Sequence, residues 1–274
     1  MAVKNPIGVF DSGYGGLTLL KEFVKKLPEY DYLYLGDNAR APYGNRSFDT
    51  VYEFTLQSAK QLFSMGCEIV VLACNTASAK ALRTIQQKDL PLIAPEKRVL
   101  GIIRPTTEVV GKYSKTGHVG VLGTTGTIVS NSYLIEIEKF FPQLTVHQEA
   151  CPMWVPLVEN NEFESDGADY FIKKNIDALL LKDKQIDTII LGCTHYPLLI
   201  NKIKQHLSSS VTLISQGEIV AESLADYLKR HSEIASKCSK GGAVDFYTTD
   251  SAENFDKAAG LFFGQEVKSE HLVL

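Results

Sequence analysis

Ile69-Val-Val-Leu-Ala-Cys74-Asn75-Thr76-Ala-Ser-Ala decides how the chain is read. Four apolar residues, three of them β-branched, lead through an alanine into a cysteine, and polar residues with a helix-prone tail follow. Such a run predicts a parallel strand buried on both faces and ending in a tight turn into a helix. Cys74 then stands at the carboxyl end of the strand, beside the first unpaired N–H groups of the helix. The pattern returns at Ile189-Ile-Leu-Gly-Cys193-Thr194-His195-Tyr196-Pro197. Two apolar strands each deliver one thiol to a strand end.

Upstream, Ile7-Gly-Val-Phe-Asp11-Ser12-Gly13-Tyr14-Gly15-Gly16-Leu17 predicts a strand ending at Asp11, a glycine turn, and an amphipathic helix carrying Leu19, Leu20, Phe23, Val24 and Leu27. The glycines are not spaced as in a dinucleotide loop. They are read instead as letting the backbone turn closely around a small ligand. Asp11 is either a helix cap or a site carboxylate. A second strand spans 31–37. In the polar loop after it, Ala41-Pro42-Tyr43-Gly44 has turn chemistry, with Tyr43 also a candidate ligand contact. A helix from Ser47 to about Gly66 precedes the Cys74 strand. A proline-marked break at 90–98 and a strand from Val99 through Pro105 follow it.

At Gly117 the cycle restarts. His118-Val-Gly-Val-Leu-Gly123-Thr124-Thr125-Gly126-Thr127 echoes the opening strand and turn, with a helix to about Phe141. A strand at 144–147, a proline-containing loop from Cys151 to Glu159 and a helix over 166–181 lead to the Cys193 strand. The tail reads as strand 211–215, helix 218–230, strand 243–248, helix 252–262 and an edge element. This weak internal duplication predicts an α/β fold of two similar α/β domains with mainly parallel central sheets and an active site in the interdomain cleft. Residues 1–98 with 211–274 form the expected first domain and residues 99–210 the second, so the chain crosses between them twice.

Composition removes whole classes of function. The chain has 274 residues, 45% of them hydrophobic, and a formal net charge of −4. Without a basic run it has no nucleic-acid footprint, and no apolar run approaches the ~20 residues of a membrane span. The opening Met1-Ala-Val-Lys-Asn-Pro leads almost directly into a strand, so no signal peptide and a cytoplasmic location are expected. The five cysteines are then reduced. Without a Cys-x-x-Cys pair, no metal is expected.

In open α/β sheets ligands bind at the carboxyl ends of the strands, where Asp11, Cys74 and Cys193 are all placed. A thiol at a helix start has its thiolate favoured. Cys67, Cys151 and Cys238 read as small core residues. Cys74 and Cys193 differ because Asn75-Thr76 and Thr194-His195 follow them. Two opposed thiols suit inversion of a carbon centre, where a base removes a proton from one face and an acid returns one to the other. Asp11 and His195 are the candidate proton partners. His118, His147, His206, His231 and His271 read as surface or packing residues.

Asp11-Ser12-Gly-x-Gly-Gly-Leu, Gly36-Asp37, Ala41-Pro42-Tyr43-Gly44, Ala73-Cys74-Asn75-Thr76-Ala77 and Gly192-Cys193-Thr194-His195-Tyr196-Pro197 together resemble glutamate racemase, from Ile7 to about Leu224. The resemblance implies a racemase needing no cofactor, usually a homodimer, that interconverts L- and D-glutamate and supplies D-glutamate for peptidoglycan. It implies that Cys74, assisted by Asp11, deprotonates D-glutamate, and that Cys193, assisted by His195, deprotonates L-glutamate. Ser12, Tyr43, Gly44, Asn75, Thr76 and Thr194 would hold the amino and carboxylate groups, alongside Asp11 and His195. Glu159 reads either as an acid near the site or as a plain carboxylate at a helix N-terminus. Neutral donors rather than arginine are expected on the carboxylates.

Two positions depart from that pattern. Asn38 stands where threonine is more frequent, and Ser215-Gln216-Gly217 stands where aspartate is common. With no N-terminal extension, activation through one by a peptidoglycan precursor is not expected. The rival readings are an aspartate or other two-cysteine racemase, a Cys193–His195 hydrolase, and a non-catalytic amino-acid-binding protein.

Overall fold

The computed structural model describes residues 5–274. Met1 to Lys4, part of the opening on which the expected lack of a signal peptide rests, lie outside the described residues. The strands are β1 (Ile7–Asp11), β2 (Tyr32–Gly36), β3 (Ile69–Leu72), β4 (Arg98–Gly101), β5 (His118–Gly123), β6 (Thr145–Ala150), β7 (Thr188–Gly192), β8 (Thr212–Ile214), β9 (Val244–Thr248) and β10 (Ser269–His271). They form one sheet in the order β10-β9-β2-β1-β3-β4 and a second in the order β6-β5-β7-β8. All ladders are parallel, so within each sheet every carboxyl end faces the same way.

β1, β2, β3 and β7 are buried along their whole length, which is why they read as continuous apolar runs rather than alternating ones. Each cysteine-bearing strand lies beside the strand that opens its half: β3 beside β1 and β7 beside β5. Phe10 is in register with Leu72, and Gly123 with Gly192. The residues just past those pairs, Asp11 with Cys74 and Thr124 with Cys193, therefore share a strand end. One buried apolar cluster runs through both halves, joining Ile7 and Val9 to Trp154, Ile189 and Leu191. No described helix is long and apolar enough to cross a membrane.

Strand pairing moves both expected domain boundaries. β4 pairs with β3 and so belongs to the first sheet, not to a domain beginning at residue 99. β8 pairs with β7 and belongs to the second sheet, not to a first-domain segment resuming at residue 211. The crossings follow these strands instead of preceding them. The strand expected from Val99 through Pro105 stops at Gly101, and Ile103–Thr107 is helical with Pro105 in its first turn, where a missing N–H costs nothing. The same chemistry turns part of the expected break into the helix Leu90–Ile93 behind Pro91. It also turns part of the expected loop into the helix Trp154–Glu159 around Pro156. The helix expected to run to Phe141 divides at Asn131, which adopts a left-handed conformation (φ 54°) that asparagine tolerates.

Candidate active site

β3 carries Cys74 to the N-cap of the helix Asn75–Lys80, in extended conformation, with the Ala77 N–H donating to its sulfur at 3.5 Å. Ser12 Oγ lies 3.4 Å from the same sulfur. Burial pushes the Cys74 thiol up to about 12, and the Asp11 carboxylate adds to the rise against the opposing Ser12 and Ala77 hydrogen bonds. Cys74 is therefore a neutral thiol near pH 7. Asp11 accepts the Gly13 N–H at 3.0 Å and does not cap the following helix, Leu17–Lys26, whose cap residue Gly16 has no side chain to offer. Burial raises its carboxyl, while the charge of His195 and the Gly16 and Gly13 N–H groups pull it down.

β7 carries Cys193 into different surroundings. No helix begins there; a 3₁₀ turn, Tyr196–Leu199, comes first, and the helix Ile200–Gln205 follows. The expectation of a helix start at Cys193 is corrected accordingly: Pro197, which lacks an N–H, stands at the second position of that turn. Instead, Cys193 Sγ lies 3.8 Å from His195 Nδ1, and His195 Nε2 lies 3.0 Å from Glu159 Oε1. Burial opposes charge on His195, but the hydrogen bonds to Cys193 and Glu159 outweigh it and raise the imidazole to about 10. His195 is thus an imidazolium at neutral pH. Glu159 ends the helix Trp154–Glu159 rather than beginning one, so it is not a carboxylate at a helix N-terminus. That helix is seated by Trp154, whose ring centroid lies 4.8 Å from that of Tyr196.

The glycine turn makes the two arms fit. A Cβ on Gly15 would lie 2.4 Å from both His195 Nδ1 and Thr194 Oγ1, and one on Gly16 would lie 2.6 Å from Asp11 Cβ. These glycines allow close approach of backbone to a site, not a nucleotide loop. Thr18 Oγ1 donates to the Thr194 carbonyl at 3.1 Å, tying the first helix to the Cys193 arm.

Both sulfurs line a single cavity of about 130 Å³. Asp11, Ser12, Tyr43, Gly44, Asn75, Thr76, Glu159, Thr194 and His195 line it too. Among the described residues no lysine or arginine lines it, and His195 is its one cation. A larger groove of about 710 Å³, past Lys80 and Arg104, contains neither sulfur.

Some polar groups in the wall already have partners. The Tyr43 hydroxyl donates to Asp37, whose Oδ2 also accepts Arg40 Nε at 2.7 Å. The Gly44 carbonyl accepts the Gly126 N–H at 2.7 Å. Thr76 Oγ1 lies 2.9 Å from Thr124 Oγ1. Thr124 and Thr125 line the cavity but were read only as a turn. Their signal was present, since Gly123-Thr124-Thr125 stands in the second half where Asp11-Ser12 stands in the first. Pro152, Val155 and Pro156 add an apolar wall hidden in the segment read as a loop. Among the described residues no cluster of three or more His, Cys, Asp or Glu could hold a metal.

The Asp/Glu/Hydantoin racemase family model matches residues 12–224, which include both strand-end cysteines. A glutamate racemase of Bacillus cereus is 38% identical over 275 residues, covering 100% of this chain and 99% of its own. A solved glutamate racemase isoform from Bacillus anthracis superposes with a TM-score of 0.89 at 35% identity, covering 98% of each chain. A glutamate racemase from Francisella tularensis, solved in complex with D-glutamate, superposes at 0.87 with 32% identity, covering 99% of this chain and 97% of its own. The chain is therefore an isomerase, and it belongs to the Asp/Glu/hydantoin racemase family.

Proposed function

We propose that this racemase interconverts L- and D-glutamate without a cofactor, by a two-base mechanism with one cysteine on each face of Cα. The observation that carries the reading is the shared cavity: two thiols line it, one beside a carboxylate and the other beside an imidazolium. Cationic His195 supplies the charge against which a Cys193 sulfur anion forms. Cys193 then takes the Cα proton of L-glutamate, and the neutral thiol of Cys74 protonates the opposite face. In the reverse direction Cys74 is the base, and Asp11 assists its proton transfer.

The substrate carboxylates meet hydroxyls, amides and backbone N–H groups from Ser12, Asn75, Thr76, Thr194 and Gly44. An arginine clamp would bind ground and transition states alike and would not accelerate the chemical step. Two units, divided after β4 and after β8, open and close over the substrate by flexing at the crossings. The glutamate racemase relatives support glutamate over aspartate as the substrate. The same reading makes the enzyme a cytoplasmic homodimer that supplies D-glutamate for peptidoglycan.

The Cys193–His195–Glu159 chain has the layout of an activated nucleophile and favours a hydrolase as the second reading. It leaves the thiol of Cys74 without a role. Incubation with L-glutamate in D₂O, without pyridoxal phosphate, separates the two. A racemase gives decaying optical rotation, deuterium at Cα, D-glutamate and no ammonia. L-glutamate left optically unchanged and free of Cα deuterium would sink the racemase reading.

A further inference from the structure

Asn75 lines the cavity, yet the groups that hold its side chain stand outside it. Asn75 Nδ2 donates to Gln216 Oε1 at 2.7 Å, and the Tyr133 hydroxyl donates to Asn75 Oδ1 at 2.8 Å. Gln216 Nε2 donates in turn to the Ile102 carbonyl at 3.0 Å and to Thr106 Oγ1 at 3.2 Å. Asn75, Gln216 and Tyr133 are all buried. The placement of these residues along the chain matters. Ile102 directly follows β4 on the first crossing, and Gln216 stands just past β8 on the second. Tyr133 belongs to the helix Ser132–Phe140, which packs on the second sheet.

The polarity of this network is dictated from one end. The Ile102 carbonyl can only accept, so the amide nitrogen of Gln216 faces it. The Gln216 oxygen is then left for Asn75, and it can only accept from the Asn75 nitrogen. Asn75 Oδ1 is left for the Tyr133 phenol. One of the two N–H bonds of Asn75 is used, and the other remains. An aspartate at position 216 offers acceptors only and cannot make the link to the Ile102 carbonyl. Gln216, in the stretch Ser215-Gln216-Gly217 that departs from the resemblance, thus has a role of its own.

We propose that Gln216 is a positioning residue: it fixes the Asn75 amide to both crossings, so that the remaining Asn75 N–H is presented to an anionic group of the substrate. This rests on the reading of Asn75 as a substrate-binding residue. A hydrogen bond made alike to substrate and transition state changes KM and leaves kcat alone.

The test is a double-mutant cycle read in KM and kcat for both enantiomers, using Asn75→Ala, Gln216→Met and the pair. Asn75→Ala and Gln216→Met are each expected to raise KM about tenfold, with kcat within about threefold. The double variant is expected to have the KM of Asn75→Ala alone, because residues acting through one contact are not additive. A merely structural role for Gln216 would instead multiply the two effects, and that result overturns the proposal. So does an unchanged KM in Gln216→Met when Asn75→Ala raises it. An unchanged KM in Asn75→Ala overturns the substrate-binding reading of Asn75 and the proposal with it. If Gln216→Met does not fold, Gln216→Asn takes its place; it is polar but too short to span Asn75 and Ile102, and the same KM signature is expected.

Discussion

The Cys74 arm and the Cys193 arm occupy equivalent places in two parallel sheets, each on a strand beside the one that opens its half. Their chemistry is opposite. Cys74 caps a helix, is buried beside the Asp11 carboxylate, and keeps its proton to about pH 12. Cys193 caps nothing and lies beside an imidazolium backed by Glu159. A repeated fold therefore does not produce a repeated site. Strand topology places the sulfurs, and in the proposed two-base mechanism the neighbouring charge tells the two arms apart. A racemase gains from this difference, since its two faces must start a turnover in opposite protonation states.

The largest expected effect breaks the pair outright. Cys74→Ala and Cys193→Ala should each reduce net racemisation by about 10³-fold or more, at the upper end of what a positioned acid or base contributes. The measurement is D-glutamate formed from L-glutamate and the reverse. A single variant that keeps wild-type turnover would show that one arm suffices.

The next effect sharpens the contrast between the arms. Asp11→Asn and His195→Asn should each lower turnover by about 10²-fold. Enantiomers have equal free energies, so kcat/KM must remain equal in the two directions for every variant. The asymmetry can appear only in kcat and KM separately. Asp11→Asn should lower kcat for D-glutamate more than for L-glutamate, and His195→Asn should do the opposite. Equal loss of kcat for both enantiomers in both variants would contradict the pairing of helpers with sulfurs.

A smaller effect concerns pH. With His195 raised from 6.5 to about 10, activity should fall on an alkaline limb as the imidazolium loses its proton near pH 10. Glu159→Gln removes one of the raising influences, so the limb should move to lower pH. The stability linked to this group has the same sign. It is fully present below the unfolded value of about 6.5 and lost as pH rises through the folded value. The excess thermal stability of wild type over Glu159→Gln should therefore shrink between pH 6 and pH 10.5. A limb that stays in place in Glu159→Gln would remove Glu159 from the Cys193 arm.

Much of this contrast was legible before any coordinates. Continuous apolar runs announced β1, β3, β5 and β7, and the polar residues just past each of these strands line the shared cavity. What could not be read was lateral pairing. β4 and β8 each adjoin a crossing, and nothing in Arg98–Gly101 or Thr212–Ile214 says which sheet its ladder will join. Prolines misled in a consistent way: Pro91 marks an expected break, Pro105 an expected strand end and Pro156 an expected loop, but all three fall in first helical turns, where proline is tolerated. Gln216 was visible only as a departure from the resemblance. Its hydrogen bonds to Asn75 and Ile102 span 141 and 114 positions of chain, beyond any local pattern.

The smallest expected effect separates burial from function. Cys67 is pushed up to about 12 by burial, as Cys74 is, so a high thiol pKa cannot by itself mark a catalytic cysteine. The difference lies in what each sulfur faces. Cys67 packs beneath β1, where a Cβ on Gly8 would lie 3.0 Å from its Sγ, and it does not line the cavity. Cys67→Ala should leave kcat within about twofold and cost on the order of 1 kcal/mol of stability, from the lost contacts of one buried sulfur. Alkylation supplies the matching measurement. D-glutamate should slow modification of Cys74 in proportion to site occupancy and leave the slow modification of Cys67 unchanged. Equal protection of both cysteines would mean that the substrate tightens the whole first half rather than covering one sulfur. The contrast between the arms would then describe a conformational change, not two chemical environments.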